Sequence, residues 1–262
     1  MKQSLRTVGL LLLLACHAAV AEDGMTLLAV FAHPDDESTV APILAKYVRE
    51  GAEVHLAIAT DGRYGAQDFA GIPAGDDLAA ARDEEMKCAA ARLGVNLVHY
   101  DYHDQLRAAE GYDGHIPHVR ALLKDISGLV EALRPDAIIT WGPDGGSNHM
   151  DHRIIGDTVT GVFLSRDWGK EVSLYFYGTP ASQIEDDDAR MRYGVLDRYL
   201  TTAITYEPAD FDAAAESLRC HKSQFTEEAI ERMISSRRER GATIYLRKFE
   251  PPHEQSDSLF KR

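Results

Sequence analysis

His33, Asp35, Asp36 and Glu37 bring one imidazole and three carboxylates into five consecutive positions of the string Ala32-His33-Pro34-Asp35-Asp36-Glu37. Imidazole nitrogen and carboxylate oxygen are both good zinc ligands, and catalytic zinc takes three protein ligands while leaving one position for water. On a turn, His33 and Asp36 can bend toward one point while Asp35 faces elsewhere as a base. A second cluster, His149-Met150-Asp151-His152, sets two imidazoles at i and i+3, where they share a helix face. One or both could supply the missing ligand, and the spacing does not choose between them. The chemistry of such a set is hydrolytic: a metal lowers the pKa of a water toward about 7, and a carboxylate takes the proton.

Apolar runs must deliver these clusters. Residues 26–31 form a continuous apolar run that predicts a buried strand, and 53–60 predicts a second. Between them, 40–50 reads as a helix closed by Gly51. Helices over 78–93 and 116–133 then alternate with strands over 96–100 and 136–141. This β-α-β-α-β-α-β order predicts an α/β, Rossmann-like three-layer fold with a mainly parallel sheet. Both charged clusters follow strands, at the carboxyl ends where such sheets bind ligands. A helix over 151–163, a strand over 172–177, helices over 210–221 and 227–240 and a last strand over 242–249 complete the pattern. Residues 178–206, with Asp186-Asp187-Asp188, read as a long surface excursion.

Lys2 and Arg6, the apolar stretch 8–15 and Ala19-Val20-Ala21 have the shape of a cleaved export signal. Residues 1–21 are therefore expected to be removed and 22–262 to form one domain, secreted or periplasmic. The apolar stretch is shorter than the roughly 20 residues of a transmembrane helix. In a competing reading, Leu13-Leu14-Ala15-Cys16 resembles a lipobox and makes Cys16 a lipidated first residue. Cys88 and Cys220 could pair in an oxidising compartment, but sequence shows no proximity, and the favoured expectation is two buried thiols. A formal net charge of −14 opposes general affinity for nucleic acid or anionic lipid surfaces and favours a small-molecule or glycan substrate.

The hexapeptide 32–37 resembles the AHPDDE signature of the PIG-L/LmbE-like zinc deacetylases, which remove acetyl groups from N-acetylglucosamine-containing molecules. The resemblance extends to Thr60-Asp61-Gly62, Arg82, Glu85, the His149–His152 pair and His221-Lys222-Ser223-Gln224. Met150 stands where the family's H-P-D-H element carries proline. The resemblance implies zinc on His33, Asp36 and His152, with Asp35 as general base. It also implies His149 as an electrophile in protonated form, with Asp151 orienting its imidazole. Arg82 and Asp104 are expected to grip substrate hydroxyls, and His221 is either an orienting residue or a core histidine. The expected activity is removal of an N-acetyl or related N-acyl group from an amino-sugar glycan or conjugate, or cleavage of another sugar-linked amide. Two other classes compete. Non-haem iron oxygenases share the two-histidine, one-carboxylate set, but on an H-x-D element in a jelly roll. A glycan-binding protein without turnover has no need of Asp35.

Overall fold

Seven strands are laid down by the β-rich runs: β1 (Thr26–Phe31), β2 (Glu53–Thr60), β3 (Asn96–Tyr102), β4 (Ala137–Trp141), β5 (Ser173–Tyr177), β6 (Thr202–Thr205) and β7 (Thr243–Phe249). They belong to a computed structural model that describes residues 24–184, 194–250 and 258. The expected export signal, Cys16 and the acidic run 186–188 lie outside the described residues. The sheet order is β3-β2-β1-β4-β5-β7-β6. β1 to β5 are parallel neighbours, whereas β7 runs antiparallel to β5 and β6 antiparallel to β7. The mainly parallel three-layer α/β arrangement read from the alternation is therefore the observed one. β1 and β2 are buried on both faces, which is why they read as unbroken apolar runs rather than alternating ones.

Among the described residues six α-helices cover the sheet: α1 (Ala41–Arg49), α2 (Asp76–Leu93), α3 (Tyr112–Leu133), α4 (Met150–Leu164), α5 (Pro208–Leu218) and α6 (Glu227–Glu239). One core joins side chains of α1, α2, α5 and α6 to Ala29, Phe31, Leu56 and Ile58. On the opposite face, α3 and α4 pack on Leu28, Val30, Ala57 and Ile138. Among the described residues, no helix is long and apolar enough to cross a membrane.

Among the departures from the sequence reading, three have a clear physical cause. Asp136 precedes β4 rather than opening it, because its carboxylate accepts the Thr26 N–H at 2.8 Å and the Lys170 ammonium at 2.6 Å. The excursion after β5 contains β6, which is only four residues long and takes its conformation from pairing with β7. Cys88 and Cys220 are not free thiols but a disulfide joining α2 to the end of α5, and Cys88 is exposed. Their separation of 132 residues conceals a proximity created only when α2 packs beside α5.

Candidate active site

β1 and β4 are adjacent, yet the chain crosses over from them in opposite directions along the sheet. That switch point opens a crevice at their carboxyl ends. β1 delivers His33 to Glu37 on a turn leading into a short 3-10 helix, Asp36–Thr39. β4 delivers His149 and His152 through the glycine-rich turn that opens α4. His33 Nδ1 lies 3.2 Å from His152 Nε2, and that nitrogen lies 3.1 Å from Asp36 Oδ1. His33 Nδ1 and Asp36 Oδ2 are 3.6 Å apart. Tetrahedral zinc with ligand bonds of about 2.0–2.2 Å sets its donors roughly 3.3 Å apart, so the two imidazole nitrogens stand at the spacing of a donor pair, with a different Asp36 oxygen beside each.

The outer nitrogens explain why a cation belongs there. His33 Nε2 meets Asp151 Oδ2 at 3.1 Å, and His152 Nδ1 donates to the Gly145 carbonyl at 2.8 Å. With those outer positions carrying the protons, the inner nitrogens present facing lone pairs, an arrangement a shared cation resolves. Burial opposes charge on His33, but Asp151, Asp36 and Asp104 pull its pKa up to about 10, so a proton competes with a metal for Nδ1, and the surrounding carboxylates supply the negative field that either cation needs. Burial likewise opposes charge on Asp36, yet His152 and His33 hold its carboxyl well below the usual range.

Asp36 Oδ2 also accepts the N–H groups of Ala32 and His33 at 3.0 and 2.9 Å and Trp141 Nε1 at 3.3 Å. The Trp141 indole stacks on His152, with centroids 4.3 Å apart and planes 3° from parallel. Trp141 thus fixes two of the three donors, a role that its place in an apolar strand does not announce. Gly156 lets α4 approach, since a Cβ there would lie 2.5 Å from the Trp141 carbonyl oxygen.

The remaining site residues meet around a cavity of about 300 Å³ that includes Asp35, Tyr64, Arg82, His149 and Gln224. Burial raises the Asp35 pKa to about 6 even though Arg82 opposes the shift. Arg82 Nη2 bonds Asp35 Oδ2 at 3.0 Å and the Pro34 carbonyl, while Nη1 bonds the Gly62 carbonyl at 3.0 Å. Its guanidinium lies where a Cβ on Gly62 would come within 2.5 Å, which accounts for the glycine in Thr60-Asp61-Gly62. Asp104 lines the same cavity, but its oxygens already accept from Thr60 Oγ1 and the N–H groups of Gly62 and Tyr64 at 2.7, 3.0 and 2.8 Å. Both residues expected to grip substrate therefore hold the loop after β2.

Asp151 also differs from its expected placement. Its carboxylate contacts His33 and the Gln105 N–H, whereas His149 Nδ1 receives the Asp151 backbone N–H at 3.2 Å. The helix cap, not the carboxylate, orients His149. Burial and the neighbouring imidazoles of His33 and His152 lower the His149 pKa more than Asp151 and Asp36 raise it, a direction that opposes the expected protonated form. His221 is fully buried against Glu37, outside the cavity lining.

Comparison with known proteins identifies the family of the chain. Residues 28–163, which contain every residue of the donor trio, match the PIG-L family, described as GlcNAc-PI de-N-acetylase. A 1D-myo-inositol 2-acetamido-2-deoxy-alpha-D-glucopyranoside deacetylase of Rhodococcus jostii (strain RHA1) is 30% identical over 240 residues, covering 76% of this chain and 82% of the relative. The protein of that name from Mycobacterium sp. (strain KMS) is 35% identical over 141 residues, 48% of this chain, so the match spans about half (46%) of the relative's length. Among solved structures, a deacetylase of the teicoplanin biosynthesis pathway superposes with a TM-score of 0.66, covering 88% of this chain and 100% of that one. At 17% identity, that likeness shows a shared fold.

Proposed function

The chain belongs to the PIG-L family, and from that premise we propose that it is a zinc-dependent hydrolase removing an N-acetyl group from an N-acetylglucosamine conjugate. The observation that carries the reading is the pair of inner imidazole nitrogens, 3.2 Å apart beside Asp36, whose outer nitrogens are already bonded. His33, Asp36 and His152 would hold the metal, which supplies Lewis-acid chemistry by acidifying water and polarising an amide carbonyl. Asp35 takes the proton of the attacking water and passes it to the departing amine, with Arg82 fixing one of its oxygens. Neutral His149 keeps its proton on Nε2, because Nδ1 accepts the Asp151 N–H, and Nε2–H donates to the developing oxyanion. Asp151 fixes the tautomer of His33 and strengthens it as a ligand.

Inositol-linked N-acetylglucosamine is the first substrate to test, given the names of the relatives. Export is part of the proposal, supported by the disulfide, which persists in oxidising compartments, and by the pattern of residues 1–21. The deciding experiment couples zinc analysis of purified protein to acetate and free-amine release from N-acetylglucosamine conjugates. Stoichiometric zinc with equal acetate and amine release is expected. Amine release without acetate would point instead to another sugar-linked amide, and turnover by zinc-free protein would refute the metal.

A further inference from the structure

Asp35 has φ +106° and ψ −21°, a conformation that side-chain-bearing residues seldom adopt and that persists only where surroundings impose it. The imposing group is Glu37. Its Oε2 accepts the Asp35 N–H at 3.0 Å, while its Oε1 meets His221 Nε2 at 2.7 Å. Glu37 and His221 are both completely buried, so this carboxylate has no solvent to share and its direction is set by the imidazole.

The imidazole is held in turn by α2. Cys88 ties Cys220 by the disulfide, and the Glu85 carboxylate accepts the Ser223 N–H and hydroxyl, each at 2.7 Å. Arg82, Glu85 and Cys88 recur at intervals of three along one side of α2. Arg82 grips the Asp35 carboxylate directly, while Glu85 and Cys88 secure the segment carrying His221.

Building on the deacetylase reading, we infer that the Glu37–His221 pair is a positioning device for the general base. His221 is a positioning residue that acts through Glu37 on the backbone of Asp35 and touches neither substrate nor metal. A histidine that merely filled the core would support stability without favouring one catalytic parameter over another.

Kinetics, zinc content and crystal structures of three variants test this. His221→Phe keeps the ring volume and loses the donor, so kcat should fall about 100-fold, the effect of misplacing a reacting group by about an ångström. KM and zinc content should hold, and Asp35 should leave its positive φ. His221→Gln restores a donor and should recover most of the lost kcat. Glu37→Gln weakens the acceptor of the Asp35 N–H and should cost about tenfold in kcat at unchanged KM, which decides the matter should His221→Phe not fold. Wild-type kcat in His221→Phe or Glu37→Gln would overturn the inference, as would a fall in kcat that only tracks lost zinc. If the wild-type protein releases acetate from no amino sugar, the deacetylase reading fails by itself. The crystal structure of His221→Phe then still decides the inference, because Asp35 retained at φ +106° would overturn it.

Discussion

Asp35 and His152 separate turnover from metal binding at the level of single side chains. Asp35→Asn preserves the donor trio, so zinc should stay bound while kcat falls by about 100-fold or more, the share of a general base. His152→Ala removes an inner nitrogen and should abolish zinc retention after dialysis, with activity lost in parallel. Wild-type turnover in the Asn variant would transfer the role of base to another residue. That His33 and Asp36 would meet the His149–His152 pair was legible because a dense run of ionisable groups directly after an apolar strand puts charge at the sheet edge, whereas the choice of His152 came from the family resemblance. The hydrogen bonds of those residues were not legible. Asp151 was expected on His149 and sits on His33, since a helix cap captures His149 and turns the carboxylate toward β1. Trp141 reads as core, and only the packing of α4 on β4 reveals its contacts with Asp36 and His152.

At the level of elements, two contacts have measurable consequences. Gly156→Ala would ordinarily favour α4 by about 1 kcal/mol, but its Cβ would meet the Trp141 backbone at 2.5 Å. Overpacking of this kind costs about 1–3 kcal/mol, so the variant should be less stable in urea and should bind zinc more weakly as His152 shifts. Asp210, at the start of α5, receives Arg49 of α1 at 2.8 Å and the Glu207 N–H at 2.8 Å. Despite burial, these partners hold its pKa below the ordinary aspartate value. Its stabilisation is therefore fully present above the unfolded pKa of about 4 and is lost as pH falls through the lower folded value. Asp210→Asn should cost about 1 kcal/mol at pH 7, solvent screening at the partly exposed Arg49 limiting the effect, and the gap to wild type should close in acid. Helices and buried strands were readable from periodicity. β6 was not, because four residues carry too little pattern and its partner lies 40 positions away.

Across the whole molecule, the proposed ligands follow two strands, β1 and β4, and the disulfide joins α2 to the end of α5, so stability should respond to both. Removing zinc with a chelator should lower Tm, and excess zinc should restore it. A concentration 100 times Kd corresponds to about 2.7 kcal/mol, and no Tm change on chelation would contradict the proposed centre. The double variant Cys88→Ser/Cys220→Ser releases a loop of 132 residues. Chain entropy predicts a loss of about 3–5 kcal/mol, seen as a lower denaturant midpoint that matches the reduced wild-type protein. The parallel sheet followed from the alternation of elements, whereas its switch point between β1 and β4 appeared only in the strand order. The disulfide did not, because two cysteines alone specify no distance.

Glu37 leaves the ribosome 184 residues before His221. A nascent polypeptide that has emerged as far as α4 already carries every proposed zinc ligand, but the carboxylate beneath its base still lacks a partner. If the pair positions the base as inferred, catalytic competence waits until the segment following α5 has been made.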